Sequence, residues 1–276
     1  MTGWYITAND IKNWVATNKK KAEILLPELI KRLVLTCDNK ADVNFPSGDS
    51  VSNEGWDGIV KSEHGNKYIP KGMSGWEIGT DKSVKGKANS DYEKRTNDAS
   101  PLNRNKDTYI FISPRHWAKK DNWVKEQLDN GLWKDIRAHN AESLANWIQD
   151  SPAVHRWFAG VIGKRVTGMS DLDQAWSIFS NYTAHQLTTT FFLEGNTEAT
   201  TKLHEGLIKI SKVTIQADSF IEAYGFVLSA LLNGNDYSYK ALIIENQTAW
   251  DWAVSSEQSL ILITMSFTRT LRSSCS

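Results

Sequence analysis

Cysteine is nearly absent from this sequence. Cys37 and Cys275 are the two among 276 residues, and a pair placed so far apart is no disulfide framework. Long hydrophobic runs are missing as well: no apolar stretch approaches the roughly 20 residues that a membrane-spanning helix requires. The opening Met1-Thr-Gly-Trp-Tyr-Ile-Thr lacks the basic-then-apolar layout of a secretory leader. A cytoplasmic protein with no membrane partner is the expectation. Charge of one sign is also lacking, since 32 Lys and Arg balance 32 Asp and Glu. Nothing therefore advertises a nucleic-acid partner globally, and any such affinity rests on local basic patches.

Several chemistries lose their support in the same way. Gly160-Val-Ile-Gly-Lys-Arg resembles a phosphate-binding loop only superficially, because its spacing is wrong and the Ser or Thr is missing. No His-Glu-x-x-His, Cys-x-x-Cys or Gly-x-Ser-x-Gly occurs. The six His are scattered and read as structural or exposed. Cys37, at the end of an apolar helix pattern, reads as a small buried residue rather than a nucleophile.

What is present is the composition of a globular protein, 40% hydrophobic and 23% charged, with 12 Trp. Most of the Trp must sit in cores, a few serving as stacking platforms. Residues 8–17 read as a short helix capped by Asn9 or Asp10. From Lys19 to Cys37, Ile24, Leu25, Leu26, Leu29, Ile30, Leu33 and Val34 recur at helical spacing. Pro27 is expected to kink that helix or begin a new first turn, and Glu28 falls off the apolar stripe. Strands are expected at 43–48, 55–60, 75–80, 108–114 and 134–139. Helices are expected at 87–96, 121–128, 141–148 and 154–162. Strands alternating with helices indicate an α/β domain around a mixed sheet.

A boundary is expected near Gly163–Asp171, dividing residues 1–165 from 170–276. In the second part the pattern predicts strands at 213–217, 241–245 and 260–265, a helix at 219–232, a turn at 234–236 and a helix at 248–254. Strands separated by single helices read as parallel crossovers, so a small Rossmann-like, mostly parallel sheet is expected. The chain reads as the front portion of a longer protein. The 219–232 helix is apolar on nearly every side, which predicts burial against another domain or a second subunit.

The chemistry concentrates in residues 54–95. Asp57 and Glu77 each lie in a short strand-like segment beside a Trp and near Gly, and a Lys-rich run follows at Asp81–Lys87. Two carboxylates on adjacent strands can hold Mg²⁺, a hard ion that takes oxygen ligands, and a nearby Lys can orient an attacking water. Both acids have a plainer reading too. Asp57 in a Gly-Trp-Asp-Gly turn can hydrogen-bond its own backbone, and a strand Glu before Gly can be a surface residue. Gly79 leaves room beside Glu77 for a phosphate or a lysine arriving from elsewhere.

The succession of Leu-Pro-Glu-Leu-Ile-Lys-Arg-Leu, Phe-Pro-Ser-Gly-Asp, Gly-Trp-Asp-Gly-Ile, Trp-Glu-Ile-Gly-Thr-Asp-Lys, Lys-Ala-Asn-Ser-Asp-Tyr-Glu-Lys-Arg-Thr and Ser-Pro-Arg-His-Trp resembles the PD-(D/E)xK nuclease superfamily. The resemblance is to its Mrr-like and antiviral-defence branches and covers roughly residues 20–165. It implies a restriction-endonuclease-like mixed sheet flanked by helices, and a Mg²⁺- or Mn²⁺-dependent endonuclease acting on DNA in bacterial antiviral defence. A catalytically inactive nuclease-fold module that binds nucleic acid or protein is the alternative. By the resemblance, Asp57 and Glu77 are the paired acids and Glu28 a further metal contact. The position two after Glu77 is Gly79 rather than Lys, so Lys82 or Lys87 takes the lysine's role, with Lys82 preferred for its closeness to the Glu77 strand. Lys85, Lys94, Arg95, Arg115, Lys119 and Lys120 are the expected nucleic-acid contacts.

Overall fold

The computed structural model describes residues 4–46, 55–182, 184–209, 212–233, 237–256 and 260–264. The chain folds into two units, Met1–Val166 with Ser256–Ser259, and Thr167–Ser255 with Leu260–Ser276.

The first unit opens with α1 (Ala8–Thr17), whose N-cap is Thr7 rather than Asn9 or Asp10. Thr7 Oγ1 accepts from the Asp10 N–H at 3.2 Å while the Asp10 carboxylate accepts from the Thr7 N–H at 2.8 Å, so two end groups are satisfied reciprocally. Helix α2 (Lys19–Cys37) runs as one element through Pro27, which is buried. Its apolar stripe buries Leu26, Leu29, Ile30, Leu33 and Val34.

Five strands form one sheet in the order β1 (Asp42–Asn44), β2 (Gly58–Ser62), β3 (Gly72–Ile78), β4 (Thr108–Ile112) and β5 (Asp135–His139). β1–β2 and β2–β3 pair antiparallel, whereas β3–β4 and β4–β5 pair in parallel. The crossovers are α3 (Val84–Asn97) and α4 (Lys120–Asp129), followed by α5 (Ala141–Gln149) and α6 (Pro152–Val161). The expected Phe-Pro-Ser-Gly stretch falls partly outside the described residues, as do Asp49 and Glu54.

Alternation along the strands gives the sheet two unlike faces. On one, Trp76 stacks with His139, and α5 brings Trp147 within 6.3 Å of Trp76 and 5.6 Å of His139. On the other, Tyr109, Phe111, Ile136 and Ala138 pack with Ala88 and Tyr92 of α3 and Trp123 of α4. Many of the Trp are thereby accounted for as core.

In the second unit, β6 (Met169–Asp171), β7 (Ala241–Ile244) and β8 (Ile261–Thr264) form a three-stranded sheet. Strand β6 lies in the stretch expected to be a linker and pairs antiparallel with β7, while β7–β8 is parallel. The sheet is therefore mixed. Residues 213–217, expected as a strand, have no regular structure: their β-branched residues find no ladder partner, and Val213 is exposed. Helices α7 (Leu172–Ser180), α8 (Thr189–Leu193) and α9 (Thr197–Ile208) precede α10 (Phe220–Asn233), with α11 (Gln247–Val254) between β7 and β8. Leu228 and Leu231 of α10 join Leu172, Ala175, Ala241 and Ile243 in a compact core. The first turn of α10 leaves Phe220 and Ile221 exposed, but the consecutive Leu228, Ser229, Ala230 and Leu231 are all buried, so the second half of the helix is enclosed on several sides within this unit. The expected turn at 234–236 lies outside the described residues. Among the described residues no helix is long and apolar enough to cross a membrane.

Candidate functional site

Strand β3 ends with Trp76, Glu77 and Ile78, and the alternation that sends Trp76 into one face sends Glu77 to the other. Parallel pairing sets Glu77 beside Phe111, so its carboxylate lies among aromatic rings and its side chain is only 6% exposed. Asp57 lies just before β2 rather than mid-strand. It falls one residue beyond the Gly58–Trp76 ladder pair, which sets it alongside Glu77. Asp57 Oδ2 accepts the Ile78 N–H at 2.7 Å, so it bonds the backbone of the neighbouring strand β3 rather than that of its own turn.

Helix α3 supplies the rest of the site. Lys87, Asp91 and Arg95 recur every fourth residue and so share one face of the helix. Lys87 Nζ donates to Asp91 Oδ1 at 2.7 Å. Arg95 donates from Nε to Glu77 and from NH2 to the Gly55 carbonyl, and its guanidinium lies 5.0 Å from the Trp56 ring centroid. Asp91 Oδ2 is buried and has no hydrogen-bond partner.

Gly79 makes the approach of Lys87 possible. A Cβ at this position would lie 2.9 Å from Lys87 Cγ and 2.7 Å from Phe111 Cζ, closer than carbon atoms tolerate. The connection it belongs to is tied down by neighbours: Thr80 Oγ1 donates to Glu23 at 2.8 Å, and Arg115 Nε donates to the Thr80 carbonyl at 2.6 Å.

The electrostatics show a site short of positive charge. Burial, then the charge of Asp57, pushes the Glu77 carboxyl up to about 8, against the pull of Arg95. Burial and the neighbouring Asp91 raise Asp57, and burial raises Asp91 although Lys87 opposes it. One guanidinium and one ammonium do not offset three carboxylates in a desolvated pocket. Lys87 feels the other side of this field. Burial pulls its ammonium down, but Asp91, Asp57 and Glu77 outweigh burial and hold it above its ordinary value.

The expected residues are therefore only partly brought together. Asp57, Glu77 and Lys87 meet. Lys82, the preferred lysine, is exposed in the segment before α3. Glu28 pairs with Arg32 at 2.7 Å one turn along its own helix, and Arg32 in turn lies 4.3 Å from the Trp157 ring centroid. The third carboxylate acting on Glu77 is Asp91, which sequence reasoning missed although the i, i+4, i+8 alternation of Lys87, Asp91 and Arg95 signals it. Among the described residues no three Asp, Glu, His or Cys side chains form a ready cluster for a metal ion, and Arg95 stands against Glu77.

The expected nucleic-acid contacts divide as well. Lys94 and Lys119 are exposed, and Lys85 is exposed but 3.3 Å from Glu126. Lys120 pairs with Asp121, and Arg115 is committed to the Thr80 carbonyl. Arg95 is turned inward, its side chain 8% exposed, so it is placed to serve Glu77 rather than a phosphate backbone. A hollow of about 580 Å³ at the free edge of β5 is lined by Lys67, Lys120 and Arg137 among others. Each of those cations has an acidic partner, Asp150, Asp121 and Asp135, so the hollow has little charge to offer a ligand. Comparison of the chain with protein-family models, with curated proteins and with solved structures finds no match.

Proposed function

We propose that residues 1–166 are a restriction-endonuclease-like domain that cleaves phosphodiester bonds in DNA with Mg²⁺ or Mn²⁺. The observation that carries this reading is Lys87 passing over Gly79 to reach the field of Asp57 and Glu77. The order of a helix, three antiparallel strands, a crossover helix and a parallel strand supports it, as does the placement of both acids at the carboxyl end of β3. The chemistry of Asp57 and Glu77 suits a hard divalent cation: two carboxylates in a desolvated pocket with a net shortage of positive charge.

A divalent cation held by Asp57 and Glu77 would supply Lewis-acid polarisation of the scissile phosphate. The chain's own contribution is then definite. Asp57 is oriented by the Ile78 N–H, and Glu77 is fixed by strand β3. Lys87 is held as an ammonium above its ordinary pKa, so it does not take a proton from water. It orients the nucleophile by hydrogen bonding and offsets the negative charge that develops on the phosphate. The wall of Phe111 and Trp56 excludes water around Glu77 and strengthens these interactions. A role in antiviral defence rests on the resemblance alone.

A second reading is supported by one observation. Arg95 already occupies Glu77, as it would in a nuclease fold turned to binding. A plasmid-nicking assay with Mg²⁺ or Mn²⁺ against EDTA separates the two. Metal-dependent nicking by the wild type that is lost in Lys87→Ala, with DNA affinity retained, is the expected result. DNA binding without nicking in either metal overturns the catalytic reading in favour of the second.

A further inference from the structure

Arg95 has the environment of a buried structural ion pair. Its side chain and that of Glu77 are 8% and 6% exposed, it caps the Gly55 carbonyl and it stacks on Trp56. Yet its partner is one of the two acids on which the cation reading depends. A buried guanidinium and a divalent cation compete for that carboxylate, because their mutual repulsion is weakly screened in a dry pocket. Four residues earlier on the same helix face, Asp91 Oδ2 is buried and has no donor. Burying an acceptor without a partner is costly, and an Arg at i+4 from an Asp is in reach of it.

We infer that Arg95 is the resident counter-ion of Glu77, and that it exchanges Glu77 for the free oxygen of Asp91 when a divalent cation enters. This inference rests on the reading that Asp57 and Glu77 hold such a cation. It makes Arg95 a positioning residue with two seats one helical turn apart, the unpaired oxygen of Asp91 being the second. The guanidinium keeps the acids apart from solvent in the metal-free protein and sets the cation concentration at which the site becomes competent. No backbone rearrangement is required, only a change of side-chain rotamer.

The test is Mn²⁺ binding to the full chain without DNA, followed by the paramagnetic resonance of free Mn²⁺, with circular dichroism to check folding. Arg95→Met removes the competitor and retains an apolar stem against Trp56. It should tighten Mn²⁺ binding about tenfold, within the usual range for coupled sites. Asp91→Asn should weaken binding several-fold more in the Arg95 background than in the Arg95→Met background, as a double-mutant cycle reports. Equal weakening in the two backgrounds, as expected of a nearby charge or of a cation ligand in its own right, would overturn the two-seat exchange. Unchanged or weaker Mn²⁺ affinity in a folded Arg95→Met also overturns it. If Arg95→Met does not fold, Arg95→Lys, which keeps the charge but cannot bridge Glu77 and Gly55 together, should give a smaller gain, and no gain counts against the exchange. The nuclease reading fails separately: a chain that binds Mn²⁺ competitively with Arg95 but does not nick DNA leaves the exchange standing. A chain that nicks DNA, with Mn²⁺ affinity unmoved by Arg95→Met, removes the exchange alone. No Mn²⁺ bound by any variant overturns both.

Discussion

Trp76 and Glu77 are consecutive residues of strand β3, yet they belong to opposite chemistries. On the Trp76 face, stacked rings enclose a His139 whose ring nitrogen is satisfied by the Tyr68 carbonyl at 3.2 Å, and burial drops its pKa to about 4. The charge is refused and the ring stays neutral. On the Glu77 face, burial is just as complete, but the helix above presents Lys87, Asp91 and Arg95, and ionisable groups are set against one another. The same degree of desolvation makes one face a store of stability and the other a place where three carboxylates lack full compensation. What differs is whether the packed helix brings aromatic or ionic side chains.

Four measurements break or sharpen this contrast. The largest effect belongs to the dry face: Trp76→Ala should cost about 3–5 kcal/mol in urea unfolding, and a loss under about 1 kcal/mol would show that this face is not the core. Next is Lys87→Ala, expected to lower the nicking rate about 10²–10³-fold with DNA affinity largely kept. Lys82→Ala should behave as wild type, and equal losses from the two would undo the assignment of Lys87.

Third, the faces should respond oppositely to pH. His139 stays neutral in the fold and protonates when unfolded, so stability falls as pH drops from about 6.5 toward 4, by up to about 3 kcal/mol. Glu77, raised from 4.5 to about 8, does the reverse. In metal-free protein its contribution is present below about 4.5 and lost as pH rises through 8. His139→Gln should reduce the acid arm, the remainder belonging to His155, which burial likewise lowers to about 4. Glu77→Gln should reduce the alkaline arm, and thermal melts across this range in EDTA report both. An alkaline arm that survives Glu77→Gln would place its origin elsewhere. The smallest effect is that of Lys94→Ala, an exposed residue. It should weaken DNA binding evenly across sequences and reduce the salt slope by about one. An unchanged slope removes Lys94 from the interface.

The elements that were legible in the sequence are those with a strong period. The stripe from Leu26 to Val34 gave α2, and Tyr109–Ile112, apolar without interruption, gave β4. Strand β6 escaped notice because Met169-Ser-Asp is three residues long and carries no alternation to read. Residues 213–217 misled in the opposite way, since β-branched residues mark a strand only where a ladder partner exists. At the site, Asp57 and Glu77 were recognisable by type and neighbours. Lys87 was ranked below Lys82 because closeness along the chain stood in for closeness in space. The coil before α3 carries Lys82 outward, and the helix returns Lys87. Glu28 fits its motif by position, but Arg32 sits one turn away and claims it. Asp91 was hidden among the polar residues of α3, most of which are simply solvated.

Gly79 leaves room for a lysine borne by another element, and under the proposed function this alters what activity would report. A lysine two residues after Glu77 would be carried by the same strand and would persist wherever that strand persisted. Lys87 reaches the acids only while α3 is docked through Val84, Ala88 and Tyr92. Local opening of that helix, which costs less than global unfolding, dissolves the constellation while the sheet survives. Cleavage would then be confined to the fully assembled chain, and a nascent or partly unfolded copy could not harm nucleic acid. Amide exchange in α3 and the loss of nicking under mild denaturant should follow one curve.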